Sequence, residues 1–255
     1  MLPSAGYAAI STLRQKQDWI KNLKAVAVIP AGGQGRRFGS QSPKQYVEVA
    51  GVPLLVHTLR KFDPAGGSGV GGLIIPVPSA DVDFVKEEIV SRYGIRGVLA
   101  VLAGGRERQD SVRAGLAAVP SDVEIVAVHD AVRPFVGVEM IRKVIDEAAI
   151  ASAATLGVPV KDTVKRVDGG SSVVGTVDRD GLWLTQTPQA FRREIIAEAY
   201  KRAYEDGVYA TDDASLVERI GVQVKMVMGS YGNIKITTAE DFHFAQFLME
   251  QEGNR

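Results

Sequence analysis

Ala25-Val26-Ala27-Val28-Ile29, followed at once by Pro30-Ala31-Gly32-Gly33-Gln34-Gly35-Arg36-Arg37-Phe38-Gly39, is the stretch whose reading decides the fold. Five apolar residues in a row, stopped by proline and glycine, suit a strand buried on both faces of a parallel sheet. The same pattern recurs downstream. Leu73-Ile74-Ile75-Pro76-Val77 is a second run, with Pro76 predicting an edge strand or a strand end. Residues 81–93 carry apolar side chains at helical spacing (Val82, Val85, Ile89, Val90). Val98-Leu99-Ala100-Val101-Leu102 and Ile125-Val126-Ala127-Val128 are further strand-like runs, and 109–119 and 138–149 read as helices. Alternating strands and helices predict an α/β fold with a doubly wound, mostly parallel sheet. Ligands in such sheets sit beyond the carboxyl ends of the strands, so the loops at 30–44, 103–111 and 129–134 are expected to converge.

Residues 160–182 break this rhythm. Two short runs around Asp168-Gly169-Gly170-Ser171-Ser172 predict a β-hairpin arm with few apolar residues to bury within one chain. Such an arm is expected either to meet a partner subunit, giving a homodimer, or to be a solvated surface hairpin. Residues 1–23 hold Arg14, Lys16, Asp18 and Lys21 without an apolar core after a basic start, so they read as an accessory extension and not a secretory signal. Residues 24–255 are expected to form one domain.

Composition narrows the function classes. Thirty Lys and Arg balance thirty Asp and Glu, which gives no basic excess for nucleic acid or an anionic membrane surface. An anionic substrate must therefore meet a local cluster of cations. The absence of cysteine excludes disulfides, thiolate metal sites and cysteine nucleophiles, and fits a reducing compartment such as the cytoplasm. His57, His129 and His243 lie far apart in the sequence, which argues against a zinc cluster.

In the first loop, Gly32, Gly33 and Gly35 are expected to supply positive φ and close backbone approach, and successive N–H groups an anion-binding concavity. Arg36, Arg37 and Lys44 add positive charge, and no acidic residue lies within 30–44. The dinucleotide pattern G-x-G-x-x-G fails at Phe38, and the P-loop pattern is absent. In the second loop Gly104 and Gly105 allow close approach, and Ser111 either faces a ligand or packs the helix turn. In His129-Asp130-Ala131-Val132-Arg133-Pro134, Asp130 at a strand terminus is a natural Mg²⁺ ligand or a helix cap, and Arg133 can fork onto an anion. His129 is expected to pack or to orient Asp130. Thr187, Thr211 and Asp212 flank apolar elements, with helix capping the simple alternative for the latter two. Lys235, between Ile234 and Ile236 in an expected strand, is either solvated or aimed at a substrate anion.

These segments together resemble the 2-C-methyl-D-erythritol 4-phosphate cytidylyltransferases of non-mevalonate isoprenoid biosynthesis. The resemblance rests on 30–39, Pro43-Lys44-Gln45-Tyr46, Glu107-Arg108-Gln109-Asp110-Ser111-Val112, 129–134, Asp162-Thr163-Val164-Lys165, Thr176-Val177-Asp178-Arg179, Gln186-Thr187-Pro188-Gln189, Thr211-Asp212 and Asn233-Ile234-Lys235. It implies a Rossmann-like nucleotidyltransferase fold and transfer of a cytidylyl group from CTP, with pyrophosphate released. It implies that Arg37, Lys44 and Lys235 are catalytic, and that Asp130 holds Mg²⁺. Ala31, Gly32, Gly33, Gly35, Arg36, Gly105 and Ser111 would face the nucleotide. Arg133, Thr187, Thr211 and Lys235 would meet the acceptor phosphate, and Thr163 and Arg179 would reach the site of the other subunit. A bacterial cytoplasmic location is implied, or a plastid in a plant or alga. Gly32 and Val132 stand where alanine is common in the family. Gly32 keeps the ribitol 5-phosphate cytidylyltransferases in view, and the arm motifs argue against them. A non-catalytic nucleotide-binding module is the remaining alternative.

Overall fold

A computed structural model describes residues 24–33 and 43–253. The expectations for residues 1–23, and for Gly35, Arg36 and Arg37, lie outside the described residues. Strand β1 (Ala25–Val28) is central in a seven-stranded sheet. β4 (Val70–Val77) and β5 (Val98–Ala103) continue from one side of it, and β6 (Ile125–Val128) from the other, all parallel. Beyond β6 come β10 (Trp183–Arg192), antiparallel to both of its neighbours, then β7 (Ala153–Pro159), then β11 (Lys225–Met228) parallel to β7. The sheet is therefore mixed and mostly parallel. Between β1 and β6 the strand order reverses, which is where the loops after two strands splay apart and leave a crevice.

Alternation along β1 divides the core. Ala25, Ala27 and Ile29 face one layer, with Leu55 and Leu59 of α1 (Leu54–Lys61) and Ile141 and Val144 of α4 (Val138–Ala151). Val26 and Val28 face the other, with Val112 of α3 (Arg108–Ala117), Ile196 and Ala199 of α5 (Arg193–Glu205) and Leu216 of α6 (Asp213–Arg219). A strand covered on both faces needs apolar residues at every position, which is why Ala25–Val28 reads as an unbroken run. The helical pattern at 81–93 is realised as α2, an α-helical Val82–Phe84 continued by a π-helical Val85–Ser91. Pro76 is not on an edge strand, because β4 lies between β1 and β5; it is the next-to-last residue of β4, so the strand-end reading holds.

A short hairpin of β2 (Glu48–Val49) and β3 (Val52–Pro53) precedes α1. Val49 and Leu54 join Val132, Phe135, Ile236 and Ala245 of the C-terminal helix α7 (Ala239–Gly253) in a third apolar cluster beside the crevice. The arm is a separate two-stranded sheet, β8 (Val164–Val167) and β9 (Val173–Val177). Its Asp168 Oδ1 accepts from the N–H groups of Gly170 and Ser172 and closes the turn. Val167, Val173 and Val174 on it are each more than half exposed.

Candidate active site

The three loops expected to converge do so. Ala31, Gly32 and Gly33 after β1, Lys44, Gly105, Ser111, Asp130 after β6, and Lys235 all line one cleft of about 840 Å³. The strand ends are laced beneath it: the Ala31 N–H donates to Pro76 O, Gly104 N–H to Val77 O and His129 N–H to Val28 O. Gln45 is buried, and its Nε2 donates to the Ala31 carbonyl at 2.8 Å, which ties the segment bearing Lys44 to the first loop. The cleft is cationic, since Lys44, Arg106, Arg108 and Lys235 outnumber Glu107 and Asp130 along its wall.

Gly32 and Gly33 do not take positive φ, contrary to expectation. Nor does space require glycine at either place: a Cβ on Gly33 would stand 3.6 Å from Lys44 Cε, and one on Gly32 would stand 3.6 Å from Ser111 Oγ, both ordinary van der Waals contacts. Gly105 is more constrained, because a Cβ there would fall 2.2 Å from Asp110 Cβ. Its bareness lets the second loop fold flat over the start of α3. Ser111 lines the cleft and also packs the helix turn: its hydroxyl accepts from Gly105 N–H at 3.2 Å and donates to Glu107 O. Glu107 and Asp110 form a capping box at the same helix end.

Asp130 is the hub. Arg108 Nε donates to its Oδ1 at 3.0 Å, Lys235 Nζ stands 3.0 Å from Oδ2, and Arg133 Nε lies 3.5 Å from Oδ2. Burial alone would raise its pKa, but the charges of Arg108, Lys235 and Arg133 outweigh that and hold it well below the usual carboxylate range. The helix-cap reading of Asp130 is not realised, since α4 begins after Gly137.

Buried His129 and Thr187 fix the loop that presents Asp130. Thr187 Oγ1 accepts from the Asp130 N–H at 3.0 Å and stands 3.0 Å from His129 Nδ1. His129 Nε2 stands 3.0 Å from the Arg133 carbonyl. A carbonyl only accepts, so Nε2 carries the proton and Nδ1 receives the threonine hydroxyl. Burial pushes the imidazole pKa down to about 4, so the ring is neutral at pH 7. The orienting role expected for His129 is met. Thr187 is buried with its hydroxyl engaged here and is not among the cleft-lining residues.

Arg133 is also largely buried and sits behind the cleft, where its NH1 donates to the Asn233 carbonyl at 2.7 Å. Asn233 Nδ2 in turn donates to Thr187 O at 3.0 Å. The strand expected around Lys235 does not form: residues 233–237 are irregular, because these bonds and Ile236 N–H to Val132 O take the place of a ladder. The facing inferred from alternation still holds. Ile236 is fully buried, and Lys235 points the other way, at a carboxylate of the protein.

Thr211 lines a neighbouring cavity of about 450 Å³ that shares Arg106, Glu107 and Arg108 with the cleft. The capping alternative belongs to Asp212, which is the N-cap of α6 and accepts from Ser215 N–H. Thr163 and Arg179 are exposed at the base of the arm, Arg179 donating to the Lys161 carbonyl, and neither lines the cleft of its own chain.

Sequence reasoning gave no role to Arg108 or Asp213. Arg108 NH1 and NH2 fork onto the fully buried Asp213 at 3.1 and 2.8 Å, and the Tyr200 hydroxyl donates to the same carboxylate. The signal for Arg108 was its place beside the second loop. Asp212 and Asp213 are indistinguishable in sequence, although one caps a helix and the other is a buried counter-ion.

Magnesium can be tested against this donor set. Among the described residues no group of three or more His, Asp or Glu could hold a metal ion. Asp130 is ionised at neutral pH, with Oδ1 holding a single partner and spare acceptor capacity. Three cations around one carboxylate repel a bare dication. The residues fit Mg²⁺ arriving with a polyphosphate, where one protein carboxylate and phosphate oxygens suffice.

Known proteins resemble the chain over most of its length. The family model described as 2-C-methyl-D-erythritol 4-phosphate cytidylyltransferase matches residues 25–251. An enzyme of that name from Syntrophus aciditrophicus is 49% identical over 231 residues, covering 90% of this chain and 98% of the relative. Another from Pelotomaculum thermopropionicum is 45% identical over 91% of this chain and 97% of its own. Among solved structures, a 4-diphosphocytidyl-2C-methyl-D-erythritol synthase from Anaerococcus prevotii superposes with a TM-score of 0.79 at 32% identity, covering 91% of this chain and 99% of that one. The 2-C-methyl-D-erythritol 4-phosphate cytidylyltransferase of Thermus thermophilus gives 0.73 at 31% identity, with 89% and 98% covered.

Proposed function

The chain belongs to the 2-C-methyl-D-erythritol 4-phosphate cytidylyltransferase family, and from that premise we propose how its cleft performs the reaction. The enzyme transfers a cytidylyl group from CTP to 2-C-methyl-D-erythritol 4-phosphate in isoprenoid biosynthesis, releasing pyrophosphate. The observation that carries the mechanism is a cationic cleft at the strand-order reversal, with Lys44 on one wall and the Asp130 hub on the other.

A phosphate monoester oxygen attacks the α-phosphorus of CTP. That oxygen is already ionised at neutral pH, since a monoester's second pKa is roughly 6, so no general base is required. The barrier is the approach of two polyanions, and it falls through positioning and charge neutralisation. Lys44 faces the triphosphate from the first loop. Lys235 leaves Asp130 Oδ2 for the acceptor phosphate, with Arg133 fixing the 233–236 segment that carries it. Asp130 would hold a Mg²⁺ entering with CTP, and the chemistry that ion would supply there is neutralisation of charge on the phosphates. Ala31, Gly32, Gly33 and Gly105 bring backbone close to the nucleotide, and Arg37 adds charge from the part of the first loop outside the described residues.

The exposed valines of the arm support a homodimer, since a two-stranded hairpin on its own is marginal. In that dimer Thr163 and Arg179 reach the partner's acceptor site. The absence of cysteine and the bacterial relatives support a bacterial cytoplasm; among the described residues no helix is long and apolar enough to cross a membrane.

Pyrophosphate release from CTP and Mg²⁺ tests the reading, with methylerythritol phosphate and ribitol 5-phosphate as rival acceptors. Turnover is expected with the first; equal turnover with the second would overturn the acceptor assignment. Lys44→Ala should lower kcat by about 10²–10³-fold, the scale of losing one preorganised donor. Near-normal kcat would remove Lys44 from the mechanism.

A further inference from the structure

Three cations face Asp130, and they are not equivalent. Lys235 reaches it from a half-exposed position, and Arg133 divides itself between Asp130 and the Asn233 carbonyl. Arg108 alone among them holds a second carboxylate. Its Nε donates to Asp130 while NH1 and NH2 fork onto Asp213. A planar guanidinium suits this double duty because its donors leave in fixed directions.

We propose that Arg108 is a positioning residue whose charge is shared between Asp130 and Asp213, and that Asp213 thereby sets how firmly Asp130 can hold a divalent cation. The inference rests on the proposed role of Asp130 toward Mg²⁺. Asp213 is fully buried, so water does not screen it, and two of the three Arg108 hydrogen bonds fall on it. Those two bonds draw the guanidinium toward α6 and leave a single bond on Asp130. Neutralising Asp213 leaves Asp130 as the only carboxylate bonded to the partly buried Arg108 guanidinium. The guanidinium then competes directly with any dication for the Asp130 oxygens. The same side chain ties the start of α3, next to the nucleotide loop, to the start of α6, next to Thr211.

The sign of the effect separates this role from a structural one. Mn²⁺ serves as the probe for Mg²⁺, with the α,β-methylene analogue of CTP present so that no turnover occurs. Free Mn²⁺ is read by electron paramagnetic resonance, with nucleotide alone as the baseline. Asp213→Asn keeps the shape of the side chain and an acceptor for Tyr200. It should weaken enzyme-dependent Mn²⁺ binding by about tenfold, the scale of a nearby like charge. Adding Arg108→Gln to Asp213→Asn removes the competing cation and should return the affinity to within about threefold of wild type. A merely structural role predicts the opposite order, with the double variant no better than the single one. That result, or a Mn²⁺ affinity unchanged in D213N, overturns the inference. Asp130→Asn is the control: enzyme-dependent Mn²⁺ binding unchanged by it would refute the magnesium role itself, and with it this inference. A loss in D130N without a loss in D213N refutes the Arg108–Asp213 role alone.

Discussion

The Asp130 hub and the β8–β9 arm are opposite kinds of structure. Asp130 is almost fully buried, and it meets Arg108, Thr187 and Lys235 from distant parts of the chain and Arg133 from three residues on. The arm rests on its own ladder and turn, and its valines face outward. The hub is complete within one chain; the arm makes sense through what it reaches. A site assembled from both should respond very differently to damage at each.

The sharpest way to break the contrast is Asp130→Ala. It strands Arg133 and half of Arg108 without a counter-ion in a buried setting, which costs about 3–5 kcal/mol of stability. It should also lower kcat by about 10³-fold, as expected for a group at the reacting centre. Denaturant unfolding and steady-state pyrophosphate release measure the two. A variant as stable as wild type would show that the hub is not the buried network its distances describe.

The arm should show the reverse. Val173→Asp with Val174→Asp should convert the proposed dimer into a monomer by sedimentation velocity and leave the melting temperature nearly unchanged. It should also reduce kcat/KM for the acceptor by about 10–100-fold through loss of positioning. A fully active monomer would break the reading that Thr163 and Arg179 serve the other subunit.

The same contrast explains what could be read from sequence. The strands of the first half were legible because burial on both faces demands apolar residues at every position, as in Ala25–Val28. The convergence of Gly33, Gly105 and Asp130 followed from strand-end topology, and the arm from its polar, glycine-broken pattern. The hub's wiring was not legible. Nothing local says that Arg108 meets a carboxylate 105 positions away, or that Asp213 is buried while Asp212 caps. The expected strand at Lys235 failed because Asn233 and Arg133 hold that segment by side-chain bonds, which a two-residue alternation cannot distinguish from a ladder. The burial of Thr187 was not legible, because a threonine before a proline carries no mark of it.

The smallest effect probes the inner support of the hub, where His129 is held neutral. Its folded pKa is lowered to about 4, below the ordinary value near 6.5, by burial. As pH falls the unfolded chain therefore takes up the proton first, so the stabilisation is intact above pH 6.5 and is lost between there and about pH 4. Asp130 is held below the carboxylate range, so its contribution survives through that window and disappears only at more acid pH. Between pH 7 and 5.5 His129 should account for a loss of about 1–1.5 kcal/mol. His129→Gln retains a donor toward the Arg133 carbonyl and cannot titrate. Urea unfolding at pH 7, 6.2 and 5.5 should therefore give a flatter profile for the variant, whatever its absolute stability. Parallel profiles would mean that the folded ring titrates as it does in the unfolded chain, so that burial does not hold it neutral.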